Sequence, residues 1–140
     1  MIKVEFHKLK TVEDSKLEFA VICSKFKEKW IWVKHKKRTT WEIPGGRREQ
    51  GEEILNTAKR ELFEETGATN FELIETCEYS VTKDTQTRYG RLYYAVIKEL
   101  KQTLDFEIEK IQLFNDLPQD LTYPEIQPLL LKKVIAITTK

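Results

Sequence analysis

The sequence predicts an α+β fold, in which a mixed or antiparallel sheet packs against helices. Several segments have the length of strands and are rich in β-branched and aromatic residues. One segment, Glu53–Thr66, instead repeats its apolar residues with the period of a helix. The chain has 140 residues, about one domain's length, and contains no internal repeat or low-complexity linker. We therefore expect a single domain over residues 1–140.

Four segments are predicted to form the main strands, and a fifth, shorter strand follows them. In chain order they are Leu17–Ser24, Trp30–His35, Phe71–Val81, Arg91–Leu100 and Lys110–Phe114. The first two are joined by the charged stretch KFKEK and are predicted to form a hairpin. The fourth has a continuous apolar middle, which indicates burial on both of its faces.

The helical segment is predicted to bury one face and to end at a glycine. Its apolar positions are Ile54, Leu55, Ala58 and Leu62. They fall within about 100° of arc, because each residue advances a helix by about 100°. Gly67 follows directly, and glycine commonly ends helices in the left-handed conformation. A second helix is predicted over residues 125–133, where Pro128 should obstruct the first turns.

Composition excludes several classes of protein. The 24 basic residues nearly balance 23 acidic ones, and the net charge of +1 argues against a dedicated nucleic-acid binder. No apolar run approaches the ~20 residues that span a bilayer, and the N-terminus lacks the features of a signal peptide. Cys23 and Cys77 lie far apart in sequence and are expected to be reduced thiols. We therefore expect a cytoplasmic location and no membrane partner.

Three carboxylates form a second stripe on the predicted helix. Glu61, Glu64 and Glu65 stand at i, i+3 and i+4 and therefore share a face, at the rim of the apolar stripe. Like charges repel at this spacing, and a Mg²⁺ ion, which prefers oxygen ligands, would offset the repulsion. Arg60 lies four residues before Glu64 and can orient the carboxylates. The alternative for such a triplet is a solvated charged face.

The spacing around the triplet resembles the signature of Nudix hydrolases, G-x5-E-x7-R-E-U-x-E-E-x-G-U, where U is aliphatic. The segment Gly46–Ala68 matches it in full. The matching positions are Gly46, Glu52, Arg60, Glu61, Leu62, Glu64, Glu65, Gly67 and Ala68. The preceding segment WEIPGG, Trp41–Gly46, is similar to the family's usual lead-in. The resemblance implies an α/β/α sandwich with this segment as a loop–helix–loop.

The resemblance also implies roles for the matching residues. The catalytic positions are Glu61, Glu64 and Arg60, and Glu61 matches a position that activates the attacking water in some members. The metal-binding positions are the backbone carbonyl of Gly45 and the carboxylates of Glu61, Glu64, Glu65 and Glu107. The bracing positions are Glu52, Gly46 and Gly67. Glu107 lies outside the signature and is preferred to Asp105 and Glu109, because Leu113-Phe114 six residues later resembles a family landmark.

The substrate-binding residues are predicted less directly. Arg38 is the preferred phosphate contact within the basic run KHKKR, since the loop before the metal site should face the substrate. Tyr89 and Arg91 lie on or near a strand that could border the pocket. Trp41 and Tyr123 are candidates for stacking on a base. By contrast, His7 and His35 are expected to be surface or structural residues, and Trp30 and Trp32 to be core residues.

These observations together predict a Mg²⁺-dependent pyrophosphohydrolase, with Mn²⁺ as a substitute metal. Markers of ADP-ribose, dinucleoside polyphosphate and coenzyme A hydrolases are absent, which favours a nucleoside triphosphate, native or oxidised, cleaved to monophosphate and pyrophosphate. Alternatives are another nucleoside-diphosphate-linked substrate, including capped RNA, and a non-catalytic nucleotide sensor. Small nucleotides are the expected partners, nucleic acid is not expected, and homodimers are frequent among the relatives that the resemblance implies.

Overall fold

The computed structural model describes residues 1–101 and 108–139 and, for residues 108–110, the backbone alone. Its strands are β1 (Ile2–His7), β2 (Leu17–Phe26), β3 (Lys29–His35), β4 (Gly45–Arg47), β5 (Ala68–Lys83), β6 (Gln86–Leu100) and β7 (Ile108–Phe114). Its helices are α1 (Ile54–Thr66) and α2 (Gln127–Thr138). The predicted α+β class with a mixed sheet is confirmed.

The strands form one sheet in the order β1-β5-β6-β2-β3-β7, with β4 paired to β2. β2 and β6 run parallel, and the other neighbours run antiparallel. The predicted hairpin of β2 and β3 is confirmed. It turns at Lys27 and Glu28, whose φ angles of 52° and 68° suit a tight two-residue turn.

The central strands bury side chains on both faces of the sheet. One face packs against α1 through Leu17, Ala20, Ile22, Ile31, Val33, Tyr93 and Ala95, which meet Ile54, Ala58 and Leu62 of the helix. The other face packs against α2 through Val21, Cys23, Trp30, Trp32 and Leu92, which meet Leu130, Leu131 and Val134. The predicted two-sided burial of β6 and the core placement of the two tryptophans are confirmed, and the layers form an α/β/α sandwich.

Helix α1 confirms the predicted helix and its glycine stop. Gly67 has a φ of 79°, and its backbone N–H donates to the carbonyl of Phe63 at 2.9 Å. A Cβ atom at Gly67 would lie 2.6 Å from the carbonyl oxygen of Lys101. Glycine is therefore needed at this position for both its conformation and its small size.

Strands β1 and β4 were not predicted from the sequence. In β1 the apolar residues Ile2, Val4 and Phe6 alternate with charged ones, and the strand pairs along β5 at the sheet edge. Strand β4 spans only Gly45–Arg47, and its sequence, Gly-Gly-Arg, does not favour a strand. It forms by pairing with β2. Both strands therefore depend on a partner that is distant in the sequence.

The C-terminal helix corrects the predicted one. It covers Gln127–Thr138 instead of residues 125–133, and Pro128 lies in its first turn. A backbone N–H has no partner within the helix at that position, so proline fits there without loss of a hydrogen bond. The expectation that Pro128 obstructs the helix is wrong.

Candidate active site

The carboxylates of α1 face the two glycines that open β4. The backbone N–H of Gly45 donates to Glu65 Oε1 at 3.0 Å. A Cβ atom on Gly46 would collide with the carboxylate of Glu61. The absence of a side chain at Gly46 therefore allows the Glu61 carboxylate to lie directly against the backbone of β4, whereas a side chain at Gly45 would meet the carbonyl oxygen of Ala20 on β2.

Arg60 connects the carboxylates of the cluster to one another. Its Nη1 donates to Glu61 Oε1 at 2.6 Å and to Glu64 Oε1 at 3.1 Å. Its Nε and Nη2 donate to Glu52 at 2.8 and 3.0 Å, in the two-pronged arrangement that suits guanidinium and carboxylate. Arg60 thus offsets the repulsion between the two helix carboxylates and fixes their direction.

Glu52 holds Arg60 from the loop that precedes α1. It accepts hydrogen bonds from the Thr57 hydroxyl at 2.7 Å and from the Glu49 backbone N–H at 3.1 Å. The hydrogen bonds from Arg60 are the largest cause of a fall in the Glu52 pKa to about 2. Glu52 therefore stays ionised and keeps Arg60 in place.

Two further residues approach Glu65 from outside the signature. His35, at the end of β3, places its Nε2 3.4 Å from Glu65 Oε2 and 3.4 Å from Glu42 Oε1. Glu42 reaches this position because its backbone bridges to Val33 of β3. Neither residue is predicted from the sequence to belong to the site. Glu42 lies in the WEIPGG segment, but only the pairing with β3 shows that it turns toward the cluster.

A cavity of about 410 Å³ opens beside the cluster, between the sheet and α2. Gly45 and Gly46 belong to both the cavity wall and the carboxylate cluster. Apolar and aromatic residues from the sheet, from α2 and from the segment before β4 form much of the wall: Phe19, Val21, Ile43, Tyr79, Val81 and Leu130. Arg47, Lys83 and Arg88 also line it and supply positive charge. The arrangement offers an apolar slot next to a carboxylate cluster.

The predicted substrate-binding residues do not all reach this cavity. Arg38 donates to Glu42 Oε2 at 2.9 Å and lies 6.0 Å from the ring centre of Tyr123, and both of these partners line the cavity. Tyr89 packs instead against the core on the α1 face. Arg91 is hydrogen-bonded to Glu75 and Glu78. The structure therefore brings only Arg38 of these three to the cavity edge.

The remaining predicted residues are placed as follows. Tyr123 lies at the cavity, whereas Trp41 packs edge-on against Phe114. Glu107, preferred as the outer metal ligand, and Asp105 lie outside the described residues, and the side chain of Glu109 is not described.

The donor set fits a hard divalent cation. Carboxylate and carbonyl oxygens are the ligands that Mg²⁺ takes in proteins. Among the described side chains, no three His, Cys, Asp or Glu residues converge closely enough to hold an ion as they stand. Arg60 is bonded to one oxygen each of Glu61 and Glu64. A carboxylate has two oxygens, so both residues keep capacity for a metal.

Burial makes two of these carboxylates hard to ionise without a metal. It raises the pKa of Glu65 to about 9, against the opposing effect of the Gly45 N–H, and Glu61 and Glu42 add to the rise. It raises the pKa of Glu61 to about 7, against the opposing charge of Arg60. In the metal-free protein at neutral pH, Glu65 therefore favours the protonated form and Glu61 is divided between its two forms, and a cation would favour the charged form of both.

The metal-free protein should lose stability as the pH rises from about 6 to about 9. A raised carboxyl pKa stabilises the folded state fully below the unfolded value of 4.5, and this contribution disappears as the pH passes the folded values. Mg²⁺ should raise Tm more at about pH 9 than at about pH 6, because fewer protons compete with it. Thermal unfolding of wild type and Glu65→Gln, in EDTA and in Mg²⁺, measures this. An equal pH slope in both proteins would contradict the explanation.

Comparisons with known proteins agree with this geometry. The NUDIX domain profile matches residues 15–115. A Bacillus subtilis (strain 168) protein with the provisional name 8-oxo-dGTP diphosphatase YtkD is 36% identical over 110 residues, 78% of this chain and 68% of that protein. An RNA pyrophosphohydrolase of Bartonella henselae is 46% identical over 39 residues, 28% of this chain and 22% of that protein. The crystal structure of a mutant Bacillus subtilis pyrophosphohydrolase, BsRppH, has a TM-score of 0.77 and 25% identity, covering 96% of this chain and 90% of that one.

Proposed function

This chain belongs to the Nudix hydrolase family, and from that premise we propose that it cleaves a nucleoside triphosphate to a monophosphate and pyrophosphate. The observation that carries the proposal is that the same two glycines line the cavity and contact the carboxylate cluster. Gly45 and Gly46 line the apolar slot and contact the carboxylates of Glu65 and Glu61. A base held in the slot would therefore place its phosphates beside the carboxylates.

In the proposed reaction, water attacks a phosphorus atom on one side of the oxygen that bridges the first two phosphates. The bond from the attacked phosphorus to the bridging oxygen breaks, and the group on the other side of the bridge leaves with that electron pair: pyrophosphate for attack at the first phosphorus, the nucleoside monophosphate for attack at the second. Glu61, half-buried beside Gly46, would take the proton from the attacking water. Arg60 holds Glu61 and Glu64 in place. When bound, Mg²⁺, or Mn²⁺ in its place, would neutralise phosphate charge and lower the pKa of water.

Removal of pyrophosphate from a 5′-triphosphate RNA end is a second candidate. The observation in its favour is the set of three cations at the cavity, Arg47, Lys83 and Arg88, which could contact a phosphate beyond the first nucleotide. The overall charge of +1 gives this candidate no support, because RNA backbone binding relies on clustered basic residues. A mononucleotide substrate is therefore preferred.

A substrate panel at fixed Mg²⁺ tests the proposal. It contains GTP, 8-oxo-dGTP, ADP-ribose, a dinucleoside tetraphosphate and an RNA oligomer with a 5′-triphosphate end. We expect monophosphate and pyrophosphate from a single triphosphate, and no comparable turnover in the Glu64→Gln variant. Faster cleavage of the RNA would establish the second candidate. Binding without cleavage of any member would identify the chain as a nucleotide sensor.

We also propose that the protein acts inside the cell. Cys23 and Cys77 are buried free thiols, as expected of a reducing compartment. Burial raises the pKa of both thiols and keeps them protonated and unreactive. Neither helix in the described part of the chain combines the length and apolarity that a bilayer crossing needs.

A further inference from the structure

Gln127 is a buried amide in the wall of the substrate cavity. It is the first residue of α2, only 6% of its surface is exposed, and it lines the cavity. Its Oε1 accepts a hydrogen bond from the backbone N–H of Ile43 at 2.7 Å. No step of the proposed reaction involves this residue.

The hydrogen bond from Ile43 fixes which end of the amide faces the cavity. A backbone N–H only donates, so the oxygen of the Gln127 side chain must point toward Ile43. The nitrogen is therefore directed away from Ile43. Within the described part of the chain no group accepts a hydrogen bond from Nε2, and this nitrogen is not fully buried, in a residue that lines the cavity. At this point the Gln127 amide thus offers the two N–H donors of Nε2, while its oxygen is engaged by Ile43.

We propose that Gln127 determines base specificity by donating to a carbonyl oxygen of the base, so that guanine and hypoxanthine are accepted and adenine is disfavoured. The inference rests on the proposed function, since it assumes that the base of a nucleoside triphosphate occupies the cavity. Purines that carry oxygen at position 6 present an acceptor, whereas adenine presents an amine, which donates. The amide of Gln127 cannot rotate to offer its oxygen without breaking the bond to Ile43.

The expected discrimination follows from the cost of unpaired donors. An amine facing the Gln127 amide would leave donors on both sides without partners in an enclosed site. Such a loss corresponds to about tenfold to hundredfold in affinity. The selectivity should therefore be visible in both binding and turnover.

The kinetic part of the experiment compares ITP with ATP, whose bases differ at position 6 of the ring. We expect wild-type kcat/KM for ITP to exceed that for ATP by about tenfold or more. Calorimetry with the uncleavable analogues GMPCPP and AMPCPP in Mg²⁺ should give the same preference in Kd. Because binding needs no turnover, this measurement stands even if the protein hydrolyses no triphosphate, which would refute the proposed function alone.

Two variants of Gln127 test the assignment to this side chain. Gln127→Glu keeps an oxygen for the Ile43 N–H but has no N–H donor, so the guanine preference in binding should disappear or reverse. Gln127→Leu removes both groups and should lower affinity for GMPCPP about tenfold or more while leaving AMPCPP within about twofold. Circular dichroism and Tm identify any variant that fails to fold.

Gln86→Leu is the matched control, because Gln86 also lines the cavity but is exposed and has no such bond to the backbone. Its ratio of GMPCPP to AMPCPP affinity should equal that of wild type. Equal affinity of the wild type for both analogues would overturn the proposal. An equal loss for both analogues in folded Gln127→Glu would also overturn it.

Discussion

Replacing Glu64 with glutamine should lower kcat/KM about a thousandfold without unfolding the protein. A metal–oxygen site supplies several kcal/mol of charge stabilisation, and loss of about 4 kcal/mol corresponds to about a thousandfold in rate. Glutamine keeps the shape of the side chain but removes its negative charge. Glu64 suits this test because its side chain is 40% exposed, so the fold depends little on it. Steady-state kinetics over a Mg²⁺ titration provide the measurement.

Glu53→Gln serves as the control for the same chemical change. Glu53 precedes α1, is exposed, and makes no side-chain capping bond. Its kcat/KM should stay within about twofold of wild type, because surface substitutions away from the site have small effects. Full activity in Glu64→Gln would show that the metal-site assignment is wrong. A raised Mg²⁺ requirement with partial rescue at high Mg²⁺ would support it.

Replacing Arg91 with methionine should destabilise the fold by about 3–5 kcal/mol. The Arg91 Nε donates to Glu78 Oε2 at 2.9 Å, and the side chain of Glu78 is fully buried. Removing one partner of a buried ion pair leaves an uncompensated charge, which costs about that amount. Methionine fills a similar volume, so little of the loss would come from a cavity. Denaturant unfolding followed by circular dichroism measures the change.

Lys98→Met on the same strand is the matched control for this prediction. Its ion pair with Glu72 is 3.7 Å long and exposed, so its loss should change stability by less than about 0.5 kcal/mol. Adding Glu78→Gln to Arg91→Met should recover part of the loss. Glutamine removes the buried charge and retains an oxygen for the N–H groups of Thr11 and Val12.

The Arg91 variant also tests the sequence prediction that this residue binds substrate. The structure supports a structural role, because both ends of its guanidinium are bonded to carboxylates. We therefore expect KM for the nucleotide to stay near the wild-type value in the folded fraction. A large rise in KM together with unchanged stability would favour the substrate-binding role instead.

Local patterns were sufficient to predict the helix that carries the site. The apolar period of Glu53–Thr66 and the glycine after it depend on residues within a few turns, so α1 forms where expected. The two-sided apolar run of β6 and the hairpin of β2 and β3 are likewise short-range patterns, and both are confirmed. The family resemblance was carried by the same local segment and is confirmed by the match over residues 15–115.

Features that depend on partners distant in the sequence could be predicted less well. Strand β4 contains two glycines and becomes a strand only by pairing with β2. Pro128 obstructs a helix only beyond the first turn, and the start of α2 cannot be located from the sequence. The prediction that Tyr89 and Arg91 border the pocket fails because a strand's sequence does not show which of its faces meets the ligand.

The sequence by itself determined the family and the order of carboxylates on α1, because these follow from spacing along one chain segment. Only the tertiary structure decided which residues lie beside these carboxylates and the cavity. His35 and Glu42 reach Glu65 through β3 and its bridge, and Gln127 faces the cavity because Ile43, 84 positions away in sequence, holds its oxygen. Contacts between segments so far apart are set by the packing of the sheet and helices, which no local spacing encodes.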